Sequence, residues 1–274
     1  MSAPGYCVFV ALGEIEAASL TEALSSLLGG GHDTRIWFRG QGCHRRALVP
    51  SLYRRMSGST VEQILEMERR LIVRFRQRSL PWWPEGYPQT DWEQLFAMQH
   101  HGVPTRLLDW TENALSGIYF ASDHDRARCE CGQNDCWPTL WVLNPARFNQ
   151  LNKRLAGMPV GILTPTPQDG GPTDFWRPGV SEALFAPSPI AIYGTHNSVR
   201  IAAQQGTFTI AGKDLLPLEQ SEAVDDATPV LVKYTIKTDH QALRAELRRL
   251  GVARSSVYPE LPSLAVDITD EEGL

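Results

Sequence analysis

Helix-like periodicities crowd the first part of this chain and strand-like runs the second, without the regular alternation that a βαβ fold requires. Glu14 to Leu28 carries apolar residues at helical spacing and stops at Gly29-Gly30-Gly31. Thr34 to Arg39 follows as a short strand rich in aromatic and β-branched residues. Ser59 with Glu62 reads as a capping box for a helix striped by Val61, Ile64, Leu65, Leu71, Ile72 and Phe75. Asp91 to His101 and Thr111 to Ala121 give two more helices, the second opened by Thr111. Strands are expected at 139–143, 190–193, 206–210 and 230–236, with a final helix from Asp239 to Leu250 that ends at Gly251. The order predicts an α+β fold: one compact domain over 1–274, with a mixed or antiparallel sheet and N-terminal helices.

Membrane and secretory readings find no support. No apolar run reaches the length of a span, and Met1 to Leu12 lacks the pattern of a secretory signal, so a cytoplasmic protein with no membrane partner is expected. A net charge of −5 argues against a surface that tracks nucleic acid throughout. Its distribution is uneven: residues 1–110 hold 12 arginines, no lysine and 11 acids. Planar guanidinium groups suit bidentate recognition of phosphate or carboxylate, although base composition could give the same bias. Arg69, Arg70, Arg74, Arg76 and Arg78 share a helix with Glu62, Glu66 and Glu68, and that face is either solvated or phosphate-contacting.

Several signatures are missing. Neither G-x-G-x-x-G after the first strand nor G-x-x-x-x-G-K-[ST] occurs, and H-E-x-x-H and G-x-S-x-G are absent too. What remains is polar density in apolar surroundings. Arg39 and Gln41 end the first strand, and Arg106, Asp109 and Thr111 are embedded among Leu107, Leu108 and Trp110 at a loop-to-helix junction. Charges so placed must be paired or used: an Arg106–Asp109 ion pair could hold the helix start, or both could face a ligand. His100 or His101, at a helix end, could serve as an acid or base, and His101 is the candidate taken forward. Arg200, Gln204 and Gln205 precede a glycine-bounded strand, where amides and a guanidinium could hold ribose or phosphate.

Cys129, Cys131 and Cys136 lie in a polar stretch at 123–137, with His124 five residues before the first. These four could close a tetrahedral, structural zinc site, with Gly132 easing the turn; otherwise the stretch is a surface loop with reduced thiols.

Phe38-Arg39-Gly40 resembles the motif that names the FRG domain. The resemblance extends through Trp37–Gln41, Leu48–Arg54, Met98–Thr111, Ile118–Ala121, Arg200–Phe208 and the tail Leu247–Leu261, nearly the whole chain, with the cysteine stretch as an insertion. A second similarity is to arginine-type ADP-ribosyltransferases, whose Tyr-Arg-Gly strand uses its arginine on the NAD phosphates. Gly117–Ala121 is similar to a segment near the nicotinamide pocket of the poly-ADP-ribose branch.

That second resemblance implies NAD as substrate and a protein or nucleic acid as acceptor. Arg39 would hold phosphate, Gln41 would orient it, and Arg106 and Thr111 would assist. Tyr119 or Trp110 would stack on a ring, while Asp109, Gln204 and His101 would stand as catalytic candidates. The transferase glutamate is replaced here by Gln204 or Gln205, leaving Asp109 or Glu182 to supply the negative charge. A bacterial toxin or defence effector, with an antitoxin or regulatory partner, is the role so implied. Two alternatives stay open: a non-catalytic module that binds nucleic acid or a partner, and a metal-dependent hydrolase using the histidines.

Overall fold

A computed structural model describes residues 13–29, 35–83, 86–124, 129, 131, 135–158, 161–165, 170–195, 199–221 and 229–273. Thr34, Gly132 and the second and third glycines of Gly29-Gly30-Gly31 lie outside the described residues.

Among the described residues, seven strands form one mixed sheet in the order β1-β7-β4-β2-β3-β6-β5. They are β1 (Gly13–Ala17), β2 (Trp37–Gln41), β3 (Leu107–Thr111), β4 (Thr139–Leu143), β5 (Ile190–Ile192), β6 (Gly206–Ile210) and β7 (Leu231–Ile236). The helices are α1 (Leu20–Gly29), α2 (Ser51–Arg55), α3 (Val61–Ser79), α4 (Asp91–His100), α5 (Ala114–Ser122), α6 (Pro145–Gln150), α7 (Val199–Gln204), α8 (His240–Arg249), α9 (Arg254–Val257) and α10 (Leu261–Glu271). The α+β expectation holds. Among the described residues, no helix is long and apolar enough to cross a membrane.

Five local expectations are corrected. Glu14 to Ala17 is not helical: Gly13–Ala17 pairs parallel with Val232–Ile236, and the helix begins only at Leu20. The first expected strand is shifted, running from Trp37 to Gln41. The capping box of α3 is Thr60 with Gln63, one residue beyond the expected pair. Leu107–Thr111 is a strand, and α5 is capped by the Asn113 side chain, which accepts from Leu115 and Ser116. Two further helices, α9 and α10, follow the one expected to be last.

Both faces of the sheet are covered, which explains why β4 is buried at every position. Phe38, Leu140, Val142 and Tyr234 pack under α5, α8 and α1 on one face. Trp37, Trp110, Trp141 and Leu143 fill the other with Leu48 and Phe148. Gly40 lets α5 lie directly on β2, since a Cβ there would collide with the Gly117 carbonyl and the Ala121 amide.

The sheet is weakest at its middle. β2 pairs with β4 over five residues and β3 with β6 over five, but β2 meets β3 only at Phe38 and Thr111. Beyond that pair the Arg39 side chain takes the place of a ladder bond, its Nη1 donating to the Asp109 carbonyl at 2.5 Å.

Candidate functional site

The gap between β2 and β3 opens into a cavity of about 440 Å³. The strands contribute Arg39, Gln41, Asp109 and Thr111; Arg46 and Arg54 come from the chain after β2, and Gln99 and His100 from the end of α4. Phe120, Asp123 and His124 enter from the end of α5, Arg200 and Gln204 from α7, and Tyr258 from beyond α9. Four arginines face two carboxylates. One of those carboxylates, Asp123, is already paired with Arg244 at 2.8 Å.

The remaining acid sits at the centre of a network. Asp109 lies 3.9 Å from Arg39 Nη1 and accepts from Gln99 Nε2 at 2.6 Å, while Gln99 in turn accepts from the Thr105 hydroxyl at 2.5 Å. Its side chain is 58% exposed, toward the cavity, and partial desolvation by the cavity walls raises its pKa above 3.8 against the pull of Arg39 and Gln99. Burial likewise lowers the pKa of Arg39, opposed by Asp109 and reinforced by Arg54. The Nε atoms of Arg39 and Arg200 are buried without a hydrogen-bond acceptor. Such donors favour an anion.

The raised Asp109 pKa carries a signed consequence for stability. A group that binds its proton more tightly when folded contributes stability below its unfolded pKa and loses it as pH rises through the folded one. At pH 7 the ionised carboxylate is therefore a cost. Asp109→Asn is expected to raise Tm at pH 7, with the advantage over wild type shrinking as pH falls toward 3.8, read by thermal denaturation across pH.

The other cavity side chains are held in place. The Gln41 carbonyl accepts from the Trp141 indole at 2.7 Å. Thr111 donates to the Gln204 carbonyl at 2.5 Å and accepts from Asn113 N–H, while Gln204 Nε2 donates to the Val257 carbonyl at 3.1 Å. Arg200 stacks on Tyr258, 4.6 Å from the ring centre. Burial first, then His101 and Arg200, lower the pKa of the His100 imidazole, with Glu260 opposing, so it is mostly neutral at pH 7.

Five expectations are corrected by position. Arg106 does not pair with Asp109 and does not reach the cavity; it is fully buried and bound by Glu68. His101 points away, its ring against Phe75 and Trp83, and its neighbour His100 lines the cavity. Tyr119, on α5, packs in the core, whereas its alternative Trp110 is among the cavity-lining aromatics with Phe120 and Tyr258. Gln205 adopts a positive φ of 47° and is not among the lining residues, although its carbonyl holds Glu112 N–H. Finally, His124 stands apart from the thiols, against Gly42 and 5.1 Å from the His240 ring.

The fourth partner of the cysteines is Cys43, just past β2. The sulfurs of Cys43, Cys129, Cys131 and Cys136 all lie within 4.8 Å of one another, a group that could hold a metal ion such as zinc. Among the described residues it is the one such cluster, and neither His100 nor His101 belongs to it. The arginine face of α3 is partly neutralised, Arg69 by Glu66 at 2.7 Å and Arg76 by Asp91 at 2.5 Å.

The cavity is therefore built on the Arg39 strand, the Asp109 strand and the helix between Asn113 and Asp123. Residues 34–129 match the family model of the FRG domain. The matched span thus supplies Arg39, Arg54, Asp109 and Phe120, whereas Arg200, Gln204 and Tyr258 close the cavity from outside it. Cys43 and Cys129 fall within the matched span, Cys131 and Cys136 beyond it. No curated protein and no solved structure matches the chain.

Proposed function

We propose that the cavity binds NAD and that the protein acts as an ADP-ribosyltransferase. The observation that carries this reading is the arginine-rich cavity at the parting of β2 and β3, with Arg39 at its seam and Asp109 opposite. A volume of about 440 Å³ suits a small-molecule ligand. Arg39, Arg54 and Arg200 offer charge-assisted donors to a pyrophosphate, and Phe120 and Tyr258 offer flat apolar faces to a ring.

The chemistry follows from the glycosidic bond to nicotinamide, whose rupture leaves an oxocarbenium-like ribose. Asp109, whose ion pair to Arg39 is looser at 3.9 Å than that of Asp123 to Arg244 at 2.8 Å, is the carboxylate that faces that developing positive charge. Gln204, tied to Val257, contributes an amide oxygen to the same space. Nicotinamide leaves with the bonding electron pair, and the acceptor nucleophile of a protein or nucleic acid forms the new bond to the ribose carbon.

Full-length protein incubated with nicotinamide-labelled NAD, alone and with bacterial lysate, tests the reading. Nicotinamide release accompanied by ADP-ribose label on a lysate component is expected. Folded protein that neither binds NAD nor releases nicotinamide in either condition would overturn it. A module that merely binds nucleic acid would instead show binding that falls steeply with salt.

A further inference from the structure

Two segments distant in sequence meet beside the cavity. Cys43 follows β2, and Cys136 precedes β4; both are fully buried, while Cys129 and Cys131 are half-buried between them. No disulfide joins any two of the four. The sulfurs of Cys129, Cys131 and Cys136 stand 2.9 to 3.4 Å apart, and all four fall within 4.8 Å. A tetrahedron of thiolates around zinc, with each bond about 2.3 Å, has edges of about 3.8 Å. The observed group brackets that size, and a cation at its centre would relieve the crowding by drawing the sulfurs onto its corners.

The same two segments are fastened by other contacts. Arg45 donates to the Asp135 carbonyl at 3.3 Å and to its carboxylate at 2.7 Å. The Trp137 N–H donates to His44 Nδ1 at 3.3 Å. This framework holds Cys43 and Cys136 in register before any ion arrives, which lowers the entropic cost of assembling the site.

We propose that Cys43, Cys129, Cys131 and Cys136 bind one zinc ion as a closed tetrathiolate site that staples the 129–136 segment to the end of β2. Binding releases the thiol protons and leaves no open coordination position, so the role is structural. The staple grips the chain two residues beyond Gln41, and so it fixes the strand end that presents Arg39 and Gln41 to the cavity. It does not depend on what the cavity binds.

Full-length protein purified reduced and without chelator should carry about one zinc per chain. Replacement by cobalt should give the intense visible bands of a tetrahedral ion and thiolate-to-cobalt charge transfer. Cys43→Ser should lose the metal on dialysis, and His124→Ala should keep it. Where Cys43→Ser does not fold, Cys129→Ser, on the half-buried side, should show the same loss. The inference is overturned if folded, reduced wild type takes up neither zinc nor cobalt. It also fails if the cysteine variants keep their metal, if His124→Ala loses it, or if the mass of the isolated protein shows a disulfide among these cysteines.

Discussion

Glu68→Ala is expected to cost about 3–5 kcal/mol of folding stability. Arg106 is fully buried, and its guanidinium forks onto Glu68, Nε to Oε1 at 2.7 Å and Nη2 to Oε2 at 2.9 Å. Two further donors reach the Ala211 carbonyl at 3.1 Å and the Trp176 carbonyl at 2.9 Å, and the Phe185 ring lies 4.8 Å away. Those carbonyls satisfy hydrogen bonds but cannot neutralise a charge, and an arginine cannot escape by giving up its proton. Truncating Glu68 therefore strands a full positive charge in the core.

Such a loss is a large fraction of the roughly 5–15 kcal/mol that typically separates folded from unfolded domains. Equilibrium urea denaturation at pH 7 would read it as a lower midpoint. The double variant Glu68→Ala with Arg106→Met should recover much of the deficit, because the cost lies in the unpaired charge more than in the lost pair. A single-variant loss below about 1 kcal/mol would show that the guanidinium finds water or another partner. The pair ties α3 to the start of β3, so it sets the floor on which Asp109 stands.

That pair also shows where sequence reading stopped. Arg106 was legible as a charge that must be used, but its partner lies on a helix whose acids looked like ordinary surface companions of its arginines; only packing separates Glu68, 1% exposed, from exposed Glu66. Arg39, Gln41, Asp109, Thr111 and Gln204 were identifiable as polar residues in apolar surroundings, and the structure brings them to one cavity. His101 and Tyr119 each stand one residue from a cavity-lining neighbour, His100 and Phe120. On a helix that step is a turn of about 100°, enough to exchange a cavity wall for the core.

Longer-range misses have longer-range causes. β1 reads locally as an extension of α1, because the strand it joins, β7, is more than two hundred residues away and invisible to a local window. β3 is five residues leading into a true helix, and its strand character comes from pairing with β6. Cys43 was overlooked for the same reason: it joins the other thiols only once β2 and β4 lie side by side. The strands β4, β6 and β7 and the helices α3, α4 and α8 carried strong local patterns, and their places followed.

On the proposed function, Arg39→Ala is expected to weaken NAD binding by about 10- to 100-fold. Hydrogen bonds to charged groups contribute about 1.5–3 kcal/mol, and each 1.4 kcal/mol is tenfold in affinity. Two features place Arg39 toward the upper end of that range. Its Nε is buried without an acceptor, so a phosphate oxygen would relieve a standing cost as well as form a bond. Its charge also screens Asp109, and removal would leave that carboxylate facing the pyrophosphate unopposed. Arg39→Lys should recover part of the loss, because an ammonium keeps the charge but not the planar fork.

The fold should survive the change. Arg39 is not a core anchor: its one short bond goes to the Asp109 carbonyl, and Phe38 and Gly40 beside it carry the packing against α5. Calorimetric titration of wild type, Arg39→Ala and Arg39→Lys, with near-ultraviolet circular dichroism as the folding control, separates lost binding from lost structure. Equal NAD affinity in wild type and a folded Arg39→Ala would move the phosphate site away from the β2–β3 seam. A graded series, wild type above lysine above alanine, would fix a guanidinium at that seam as the phosphate fork, with the Asp109 carboxylate 3.9 Å from it.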